Sequence, residues 1–496
     1  MLIRARLLLQ NAAIVSILSR TILPATLLGL AIALVPAATL PAPAPEPAAG
    51  PRNVILVIGD GMDEQQITIA RNYLVGPGGR LLLDRLPLRA SVQVLTMEDR
   101  VDGRPVYVAD SANTATSMAT GAVTSRGRIA TTAGDDRDLP TIVELAEAAG
   151  YRTGLVTTAS VTDATPAAFA AHIGFRLCEN PDDMEESVYG NLNLGARCSA
   201  DRKASGGAGS IAEQLAESGL DVILGGGRKH FAPLAEGKAT SVLDIARARG
   251  FQVVATGEAL AAVDRDQRLL GLFSAGTMPV RLRGEGGRVA EQALPDSRQP
   301  GDLKLPQPMT CEPDPAFRGV PDLQQMTDAA LAHLAHGNER GFFLMIESAS
   351  IDKQSHDRKP CGAIGEMAQL EEALASVLAF AGAHPDTLVL VTSDHTHAAQ
   401  LVPLESLFAV YGVASHSPGR LARIITPDGG LMAINYATSG SPWEEHTGAA
   451  VPLFSNARGV GRIPAFLQQP QIFQLMRDYL EIQGPSTQSG SVQTRD

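Results

Sequence analysis

Apolar runs of strand length alternate with amphipathic segments along most of this chain. Runs rich in β-branched residues predict five buried strands, at NVILVIGD (53–60), TGLVTTAS (153–160), DVILGGG (221–227), FFLMIES (342–348) and TLVLVTSD (387–394). Apolar residues at helical spacing predict helices at TIVELAEAAG (141–150), SIAEQLAESG (210–219) and EMAQLEEALASVLAFA (366–381). Strands that alternate with helices require right-handed crossovers. The pattern therefore predicts an α/β fold with a central, mostly parallel sheet between helical layers.

Two stretches interrupt this rhythm. Residues 276–322 are rich in Gly, Pro and Arg, and part of 402–442 is polar. We interpret both as loop insertions in one catalytic domain over residues 51–484, rather than as separate domains. The polar residues after 484 lack periodicity, which predicts a disordered tail at 485–496.

The first fifty residues differ in composition from the rest. Three arginines precede an apolar stretch, and a Pro/Ala-rich segment follows it. This layout is typical of a signal peptide followed by a linker, so a protein exported to the periplasm or secreted is predicted. A membrane-anchoring helix remains the alternative, although Pro24 and Pro36 at the ends of the apolar stretch disfavour it. No other segment reaches membrane-spanning length, so no stable membrane anchor is expected after signal cleavage.

The charge of the chain narrows the range of partners. The 496 residues carry a formal net charge of −12, and the isoelectric point is near 5.4. No concentrated basic stretch offsets this charge, so no nucleic-acid-binding surface is expected.

Four cysteines follow the signal-like segment: Cys178, Cys198, Cys311 and Cys361. In an oxidising compartment this even count predicts two disulfides. The absence of a Cys-x-x-Cys pair disfavours a zinc ribbon. Pairing of sequence neighbours gives Cys178–Cys198 and Cys311–Cys361, but the spacing leaves the other two pairings open.

Three of the predicted strands break off at an acidic residue: Asp60, Glu347 and Asp394. The carboxyl ends of parallel strands meet at one edge of a sheet, where ligands bind. Charged groups at the end of a buried strand are costly unless they are paired or bind metal. The sequence therefore predicts metal-binding side chains at this edge.

Histidines accompany these carboxylates. Asp352 and His356 are four residues apart, which places both on one face of a helical turn. A surface helix with a solvated histidine is the alternative there. His395 follows Asp394 directly, and His446 lies in WEEHTG, where the neighbouring glutamates 444 and 445 are expected to be solvated. Mixed His and carboxylate ligands suit zinc, whereas Glu347 with a further carboxylate and a hydroxyl suits Mg²⁺. These ligands predict a metal-dependent hydrolase with more than one metal ion.

A candidate nucleophile precedes an Ala/Thr-rich run. In VADSANTATSMATG, Asp110 and Ser111 stand where a helix begins, and a helix N-terminus favours an anion. An isolated Asp-Ser is more commonly an ordinary helix cap. Neither a GxSxG elbow nor a P-loop signature is present, and no general base stands beside Ser111 in the sequence. A nucleophilic Ser111 would therefore need a metal to activate it.

The motifs GDGM, DSANTAT, TDATPAAFAAH (162–172), IESASIDKQSH, SDHTH and EEHTG follow one another in this order. From about Val54 to about Ala457, the chain resembles the alkaline phosphatase family, and most closely the bacterial periplasmic type. The resemblance implies a three-layer alkaline-phosphatase-like fold and a homodimer. It also implies hydrolysis of small phosphate monoesters through a phosphoserine intermediate, with two zinc ions and one magnesium ion.

The resemblance further assigns the metal ligands. The first zinc is expected on Asp352, His356 and His446. The second zinc is expected on Asp60, Asp394 and His395, with Ser111 as the nucleophile beside it. Magnesium is expected on Asp60, Thr165 and Glu347, with Asp163 holding its water ligands.

The same pattern assigns residues that contact the phosphate. Arg176 is expected to bind two phosphate oxygens and Asp110 to orient it, while Lys353 contacts phosphate through water. His397 is expected to support a zinc-bound aspartate. The four cysteines lie where the bacterial type forms Cys178–Cys198 and Cys311–Cys361.

Two other functions compete with this interpretation. One is a phosphodiesterase or sulfatase of the same superfamily, but Ser111-Ala112-Asn113 lacks the sulfatase Cys/Ser-x-Pro-x-Arg pattern, and many diesterases carry threonine at the nucleophile position. The other is a non-catalytic phosphate- or zinc-binding protein, which would need neither Ser111 nor the complete ligand set. The loop between Cys178 and Cys198, the 276–322 stretch and the surroundings of Trp443 depart from the family pattern. The resemblance therefore leaves the substrate preference open.

Overall fold

The computed structural model describes residues 50–184, 188–189, 192–295, 303–404, 411 and 418–483. Apart from Gly50, the predicted signal peptide and linker at 1–50 lie outside these residues, as does the predicted tail at 485–496. In the described ranges, no helix is both long enough and apolar enough to cross a membrane.

The regular elements alternate along the chain as the sequence predicts. The strands are β1 Asn53–Gly59, β2 Leu88–Gln93, β3 Thr96–Met97, β4 Pro105–Val106, β5 Arg152–Ser160, β6 Val188–Tyr189, β7 Leu192–Asn193, β8 Val222–Gly226, β9 Phe251–Val254, β10 Arg268–Leu272, β11 Leu282–Gly284, β12 Glu291–Gln292, β13 Leu294–Pro295, β14 Leu303–Lys304, β15 Cys311–Pro313, β16 Phe342–Ser348, β17 Thr387–Ser393, β18 Gln400–Val402, β19 Arg420–Ile425, β20 Leu431–Tyr436, β21 Val451–Ser455 and β22 Phe466–Gln468. The α-helices are α1 Glu64–Leu74, α2 Ser111–Thr120, α3 Ile142–Ala148, α4 Ala164–Ala168, α5 Leu194–Cys198, α6 Ile211–Glu217, α7 Arg228–Phe231, α8 Val242–Ala248, α9 Gly257–Ala261, α10 Leu323–Ala335, α11 Ser350–His356, α12 Pro360–Ala383 and α13 Pro470–Tyr479.

A ten-stranded sheet forms the centre of the fold, in the order β22-β2-β21-β17-β1-β16-β5-β8-β10-β9. Only β21 runs antiparallel to its two neighbours, β17 and β2, and the other neighbouring pairs are parallel. The predicted mostly parallel sheet is therefore confirmed. The antiparallel β21, the strands β2 and β22 beyond it, and β10 and β9 at the opposite end of the sheet were not predicted.

Helices cover both faces of this sheet. Along β1, Val54, Leu56 and Ile58 pack with α2, α3, α4, α6, α8 and α13, whereas Ile55 and Val57 pack with α1, α10 and α12. All five side chains are fully buried, and burial of each contributes roughly 1.5–3 kcal/mol. The predicted arrangement of three layers is therefore confirmed.

Helix capping explains where the predicted helices begin. The side chain of Thr141 caps α3 and that of Ser210 caps α6, each with a glutamate three residues later that completes a capping box. Helix α3 ends at Ala148, just before Gly150 at φ +81°, whereas α6 ends at Glu217, earlier than the predicted Gly219.

The stretches predicted as loop insertions contain a second sheet. Its antiparallel strands β12, β19, β20 and β18 bring residues 291–292 beside 420–421. Ile424, Ile434 and Tyr436 are buried in a separate apolar cluster beside Met309 and Cys361. These strands are short and have partly polar sequences, and β12 pairs with a strand more than a hundred residues later. Local periodicity therefore does not reveal them.

Both disulfides pair neighbours in the sequence. Cys178 is bonded to Cys198, and Cys311 of β15 is bonded to Cys361 at the start of α12. The structure therefore selects one of the three pairings that the spacing allowed.

Candidate metal centre and active site

Three buried carboxylates meet at the carboxyl edge of the central sheet. Strands β1 and β17 pair so that Gly59 lies beside Ser393, and Asp60 and Asp394 follow these two residues. On the other side of β1, Ile58 lies beside Glu347 of β16. Strand order and register thus place the three acidic strand ends together, as the sequence predicts.

A first group of candidate ligands surrounds one carboxylate oxygen. The first cluster comprises Asp352, His356, His397 and His446. The Nε2 atoms of the three histidines lie 3.3, 3.1 and 3.2 Å from Oδ1 of Asp352. Ligand atoms about 2.0–2.1 Å from one tetrahedral zinc ion are about 3.3 Å apart. The spacing in the cluster therefore fits a single metal ion.

Backbone carbonyls fix the orientation of two of these imidazoles. His356 lies with its Nδ1 2.5 Å from the carbonyl oxygen of Glu444, and His446 with its Nδ1 2.9 Å from that of Ala109. A proton on each Nδ1 satisfies these contacts and leaves Nε2 facing Asp352. Metal-binding histidines commonly donate their other ring nitrogen in this way.

A second group lies at the ends of β1 and β17. The second cluster comprises Asp60, Asp394 and His395, and all three side chains are buried. The Nε2 of His395 lies 3.4 Å from Asp60 Oδ1 and 3.4 Å from Asp394 Oδ2. Burial, and next the charge of His446, lower the pKa of His395 well below its ordinary value. The neutral Nε2 of His395 and the carboxylates of Asp60 and Asp394 could therefore bind one cation together.

The acidic groups of both clusters are crowded and short of hydrogen-bond donors. Asp60 Oδ1 and Asp352 Oδ1 accept no well-directed hydrogen bond from the described residues. Burial, and then Asp352, Asp394 and Glu347, raise the pKa of Asp60 well above its ordinary value, and burial raises that of Asp394 to about 6. Divalent cations would offset this repulsion. The donor sets therefore fit metal ions.

Ser111 opens α2 beside the second cluster. Asp110 is the N-cap residue, and its side chain accepts from the backbone N–H of Asn113. Ser111 is buried, and its Oγ lies 3.2 Å from Nε2 of His395. The sequence indicated no base near this serine, because His395 is 284 residues away along the chain. The fold brings the two together at a helix N-terminus that favours an anion.

Arg176 lies within the site and is not a solvated surface residue. Its guanidinium donates to Asp110 Oδ2 at 3.2 Å and to Asp163 Oδ1 at 3.0 Å. Asp110 also accepts from the backbone N–H of Gly127 at 3.1 Å, which fixes the carboxylate. Because Asp110 directly precedes Ser111, this bond connects the arginine to the candidate nucleophile.

A third group of oxygens lies around Glu347. Its Oε2 accepts from Thr157 at 2.5 Å, and burial raises its pKa to about 7. The buried hydroxyl of Thr165 makes no well-directed hydrogen bond in the described part of the chain. Asp163, the N-cap residue of α4 two residues before Thr165, accepts from Nζ of Lys353 at 2.5 Å. These oxygen donors suit the hard cation Mg²⁺.

Two residues differ from the sequence interpretation. Glu444 was expected to be solvated, which is wrong: it is fully buried and paired with Arg358. Arg358 was not singled out at all. No local pattern in the sequence indicates this pair. His397, expected to support a zinc-bound aspartate, lies with its Nε2 3.1 Å from Oδ1 of Asp352, which agrees with that expectation.

The 276–322 stretch borders the site. Residues 277–280 and Arg283 line a cleft of about 490 Å³ that Ser350 and Lys353 also line. Lys353 thus belongs to both the cleft and the group around Asp163.

Comparison with known proteins identifies the family. The sequence profile of alkaline phosphatases, the family described as "Alkaline phosphatase", matches residues 51–419. The chain is 41% identical over 436 residues to streptomycin-6-phosphate phosphatase of Streptomyces griseus, covering 85% of this chain and 89% of that protein. It is 39% identical over 434 residues to alkaline phosphatase of Escherichia coli K12, covering 86% of this chain and 85% of that protein.

Solved structures share the fold at lower sequence identity. Thermus thermophilus alkaline phosphatase aligns with a TM-score of 0.62 at 23% identity, over 88% of this chain and 92% of that one. The enzyme of the Antarctic bacterium TAB5 aligns with a TM-score of 0.60 at 22% identity, over 88% and 99%. Together with the buried metal-binding clusters, these similarities show that the chain belongs to the alkaline phosphatase family and is a phosphate monoester hydrolase.

Proposed function

We propose that the protein hydrolyses small phosphate monoesters through a phosphoserine intermediate at Ser111, with two zinc ions and one magnesium ion. The observation that carries this proposal is the position of Ser111 Oγ, 3.2 Å from Nε2 of His395. This distance is close to the spacing of about 3.3 Å between ligand atoms around one zinc ion. A hydroxyl in this position can share the metal of the second cluster.

The donor types support three metal sites. We assign the first zinc to Asp352, His356 and His446, with His397 beside them, and the second zinc to Asp60, Asp394 and His395. We assign magnesium to Asp60, Thr165 and Glu347, with Asp163 acting through water. When bound, the ions would supply Lewis-acid chemistry, which lowers the pKa of a bound hydroxyl and offsets negative charge on phosphate oxygens.

The protein side chains account for the remaining steps. Ser111 Oγ attacks phosphorus in line with the ester oxygen, the bond from phosphorus to that oxygen breaks, and the alcohol leaves with the serine proton. Water then attacks the phosphoserine, which releases inorganic phosphate and restores the hydroxyl. The N-terminus of α2 stabilises the negative charge beside Ser111 throughout.

Arg176 has donors left for the phosphoryl group. Its bonds to Asp110 and Asp163 use two of the five guanidinium N–H groups. The others can bind two non-bridging oxygens, which stabilises the charge of the loose transition state. The non-bridging oxygens of a monoester dianion share two negative charges and those of a diester share one, so this residue favours monoesters over diesters.

The test is direct trapping of the intermediate. The metal-loaded protein is mixed with p-nitrophenyl phosphate, quenched in acid and analysed by peptide mass spectrometry. We expect phosphate on Ser111, none in Ser111→Ala, and much slower turnover of bis(p-nitrophenyl) phosphate at equal metal load. Rapid monoester turnover without a phosphorylated peptide would contradict the serine route, and faster diester turnover would support the alternative, a phosphodiesterase.

We further propose that the protein is exported to the periplasm or secreted, and that it acts as a homodimer. Two disulfides support an oxidising compartment, because such bonds are rare in reducing cytosol. Membership of the alkaline phosphatase family supports the dimer. Cell fractionation and light scattering after size-exclusion chromatography test the two proposals separately.

A further inference from the structure

A buried ion pair lies beside the first cluster and takes no part in the chemistry described above. Nε of Arg358 donates to Oε2 of Glu444 at 2.6 Å, and the two side chains are 5% and 0% exposed. Burial of two charges is costly unless further hydrogen bonds satisfy them. The hydrogen bonds that satisfy Arg358 and Glu444 therefore identify the backbone segment that the pair holds in place.

The segment from Thr438 to Glu444 is folded around the two charged groups. The guanidinium also donates to the carbonyl oxygens of Pro442 at 2.7 Å, Ser441 at 2.9 Å and Ser439 at 3.2 Å. The second carboxylate oxygen, Glu444 Oε1, accepts from the backbone N–H of Thr438 at 2.5 Å and of Ser439 at 2.7 Å, and from the Thr438 hydroxyl at 2.8 Å. Both charges thus hold the same stretch of backbone.

The backbone of Glu444 also contacts a candidate metal ligand directly. Its N–H donates to the carbonyl of His356 at 2.9 Å, and its own carbonyl oxygen lies 2.5 Å from Nδ1 of His356. His446, the second histidine of the cluster, follows two residues later. A change in the position of Glu444 would therefore move the imidazole of His446. It would also remove the carbonyl that keeps the proton of His356 on Nδ1.

The backbone of Arg358 adopts the left-handed conformation, which is unfavourable for arginine. It follows α11, the helix that carries Asp352 and His356, and its φ is +58°. Only glycine adopts this region without cost, and asparagine or aspartate tolerates it better than arginine does. The arginine is held there while its side chain makes four hydrogen bonds, so the pair connects the end of α11 to the 438–446 segment.

We infer that Arg358 and Glu444 are positioning residues that set the metal affinity of the first cluster by fixing His356 and His446. The inference rests on the proposed function in one respect, that the first cluster binds zinc. Neither side chain contacts the second cluster in the described structure, so its affinity should not depend on them.

The experiment is a zinc titration of the metal-free protein in competition with a chromophoric chelator. Glu444→Gln keeps the shape of the side chain and removes its charge, and Glu445→Gln, an exposed neighbour, is the matched control. Removal of a partner that orients a metal ligand typically costs 10–100-fold in metal affinity. We expect one zinc site of Glu444→Gln to weaken by this factor, the other to stay unchanged, and excess zinc to restore kcat. The control should match the wild type.

A second variant tests the inference if Glu444→Gln does not fold. Arg358→Lys keeps the positive charge but cannot make the forked contacts, so it should weaken the same site to a smaller extent. Thermal unfolding of the metal-free proteins separates a general loss of stability from a local effect. Wild-type zinc affinity in Arg358→Lys and in any folded Glu444→Gln, whatever their stability, would overturn the inference. A wild-type protein that binds no zinc would instead contradict the proposed function.

Discussion

The Nε2 atoms of His356 and His446 lie 3.0 Å apart. The Nδ1 of each ring faces a backbone carbonyl, so either a proton or a cation must lie between the two Nε2 atoms. Burial lowers the pKa of His446, but Asp352 outweighs this effect and raises it to about 9. Without metal, His446 thus holds the proton, and a metal ion would displace it.

The first prediction concerns metal removal. Chelation should abolish phosphomonoesterase activity, because the crowded carboxylates and paired imidazoles are arranged around cations. Zinc with magnesium should restore more activity than zinc alone, since the Glu347 group contains only oxygen donors. Activity against p-nitrophenyl phosphate and metal content are measured together. Full activity in protein shown to contain no metal would exclude this mechanism.

The second prediction compares two substitutions in the site. Ser111→Ala should remove the covalent route and cause the larger loss of kcat. Arg176→Ala should lower kcat/KM by roughly a hundredfold, because a charge-assisted bidentate contact is worth about 2–3 kcal/mol, and it should weaken inhibition by phosphate. Steady-state kinetics and phosphate inhibition constants provide the test. Arg137→Ala, at a side chain 74% exposed, is the control. Unchanged phosphate inhibition in Arg176→Ala would place this arginine outside the phosphate site.

The third prediction concerns the pH dependence of stability. Glu366 in α12 is buried and accepts from Thr158, Ser348 and Gln369. Burial raises its pKa to about 7, so the folded state binds this proton more tightly than the unfolded state does. Its stabilising contribution is complete below pH 4.5 and is lost as the pH rises through 7, by at most about 3 kcal/mol.

Substitution isolates this effect. As the pH rises from 4.5 to 7, the free energy of unfolding of the metal-free wild type should fall relative to that of metal-free Glu366→Gln, because the amide does not ionise. Urea unfolding at several pH values measures the difference, and Glu339→Gln, at an exposed position, should follow the wild type. A constant difference across this range would show that Glu366 titrates normally.

The fourth prediction concerns the Cys311–Cys361 bond. It closes a loop of 50 residues and joins β15 to the start of α12. Replacement of both cysteines by serine should lower the free energy of unfolding by about 2–4 kcal/mol, mainly because the unfolded chain gains freedom. Urea unfolding of the oxidised proteins measures this loss. Equal stability of the variant and the wild type would mean that the closed loop contributes nothing.

Much of the site could be predicted because its signals are local. Asp60, Glu347 and Asp394 each end an apolar run of strand length, and parallel strands present such ends at one edge. The spacing of Asp352 and His356 is visible within one helical turn. Sequence alone therefore locates the ligands, whereas the assignment of individual metals depends on family resemblance.

The sequence interpretation fails where the environment of a residue depends on segments that are distant along the chain. Glu444 in isolation resembles any surface glutamate, and its burial depends on Arg358, 86 residues earlier. The proximity of His395 to Ser111 depends on the strand order, and the second sheet depends on pairing between β12 and β19. No period of 2.0 or 3.6 residues encodes such contacts.

The placement of His446 after the second sheet has a consequence for biosynthesis. The strands that carry Asp60, Glu347 and Asp394 are complete well before residue 446 is synthesised, yet the first cluster lacks one of its imidazoles until that point. A chain truncated before this histidine would lack this imidazole and also β21, the strand that pairs with β17. Full assembly of the first cluster therefore requires that the chain has been made through His446 and that this residue has folded back beside α11.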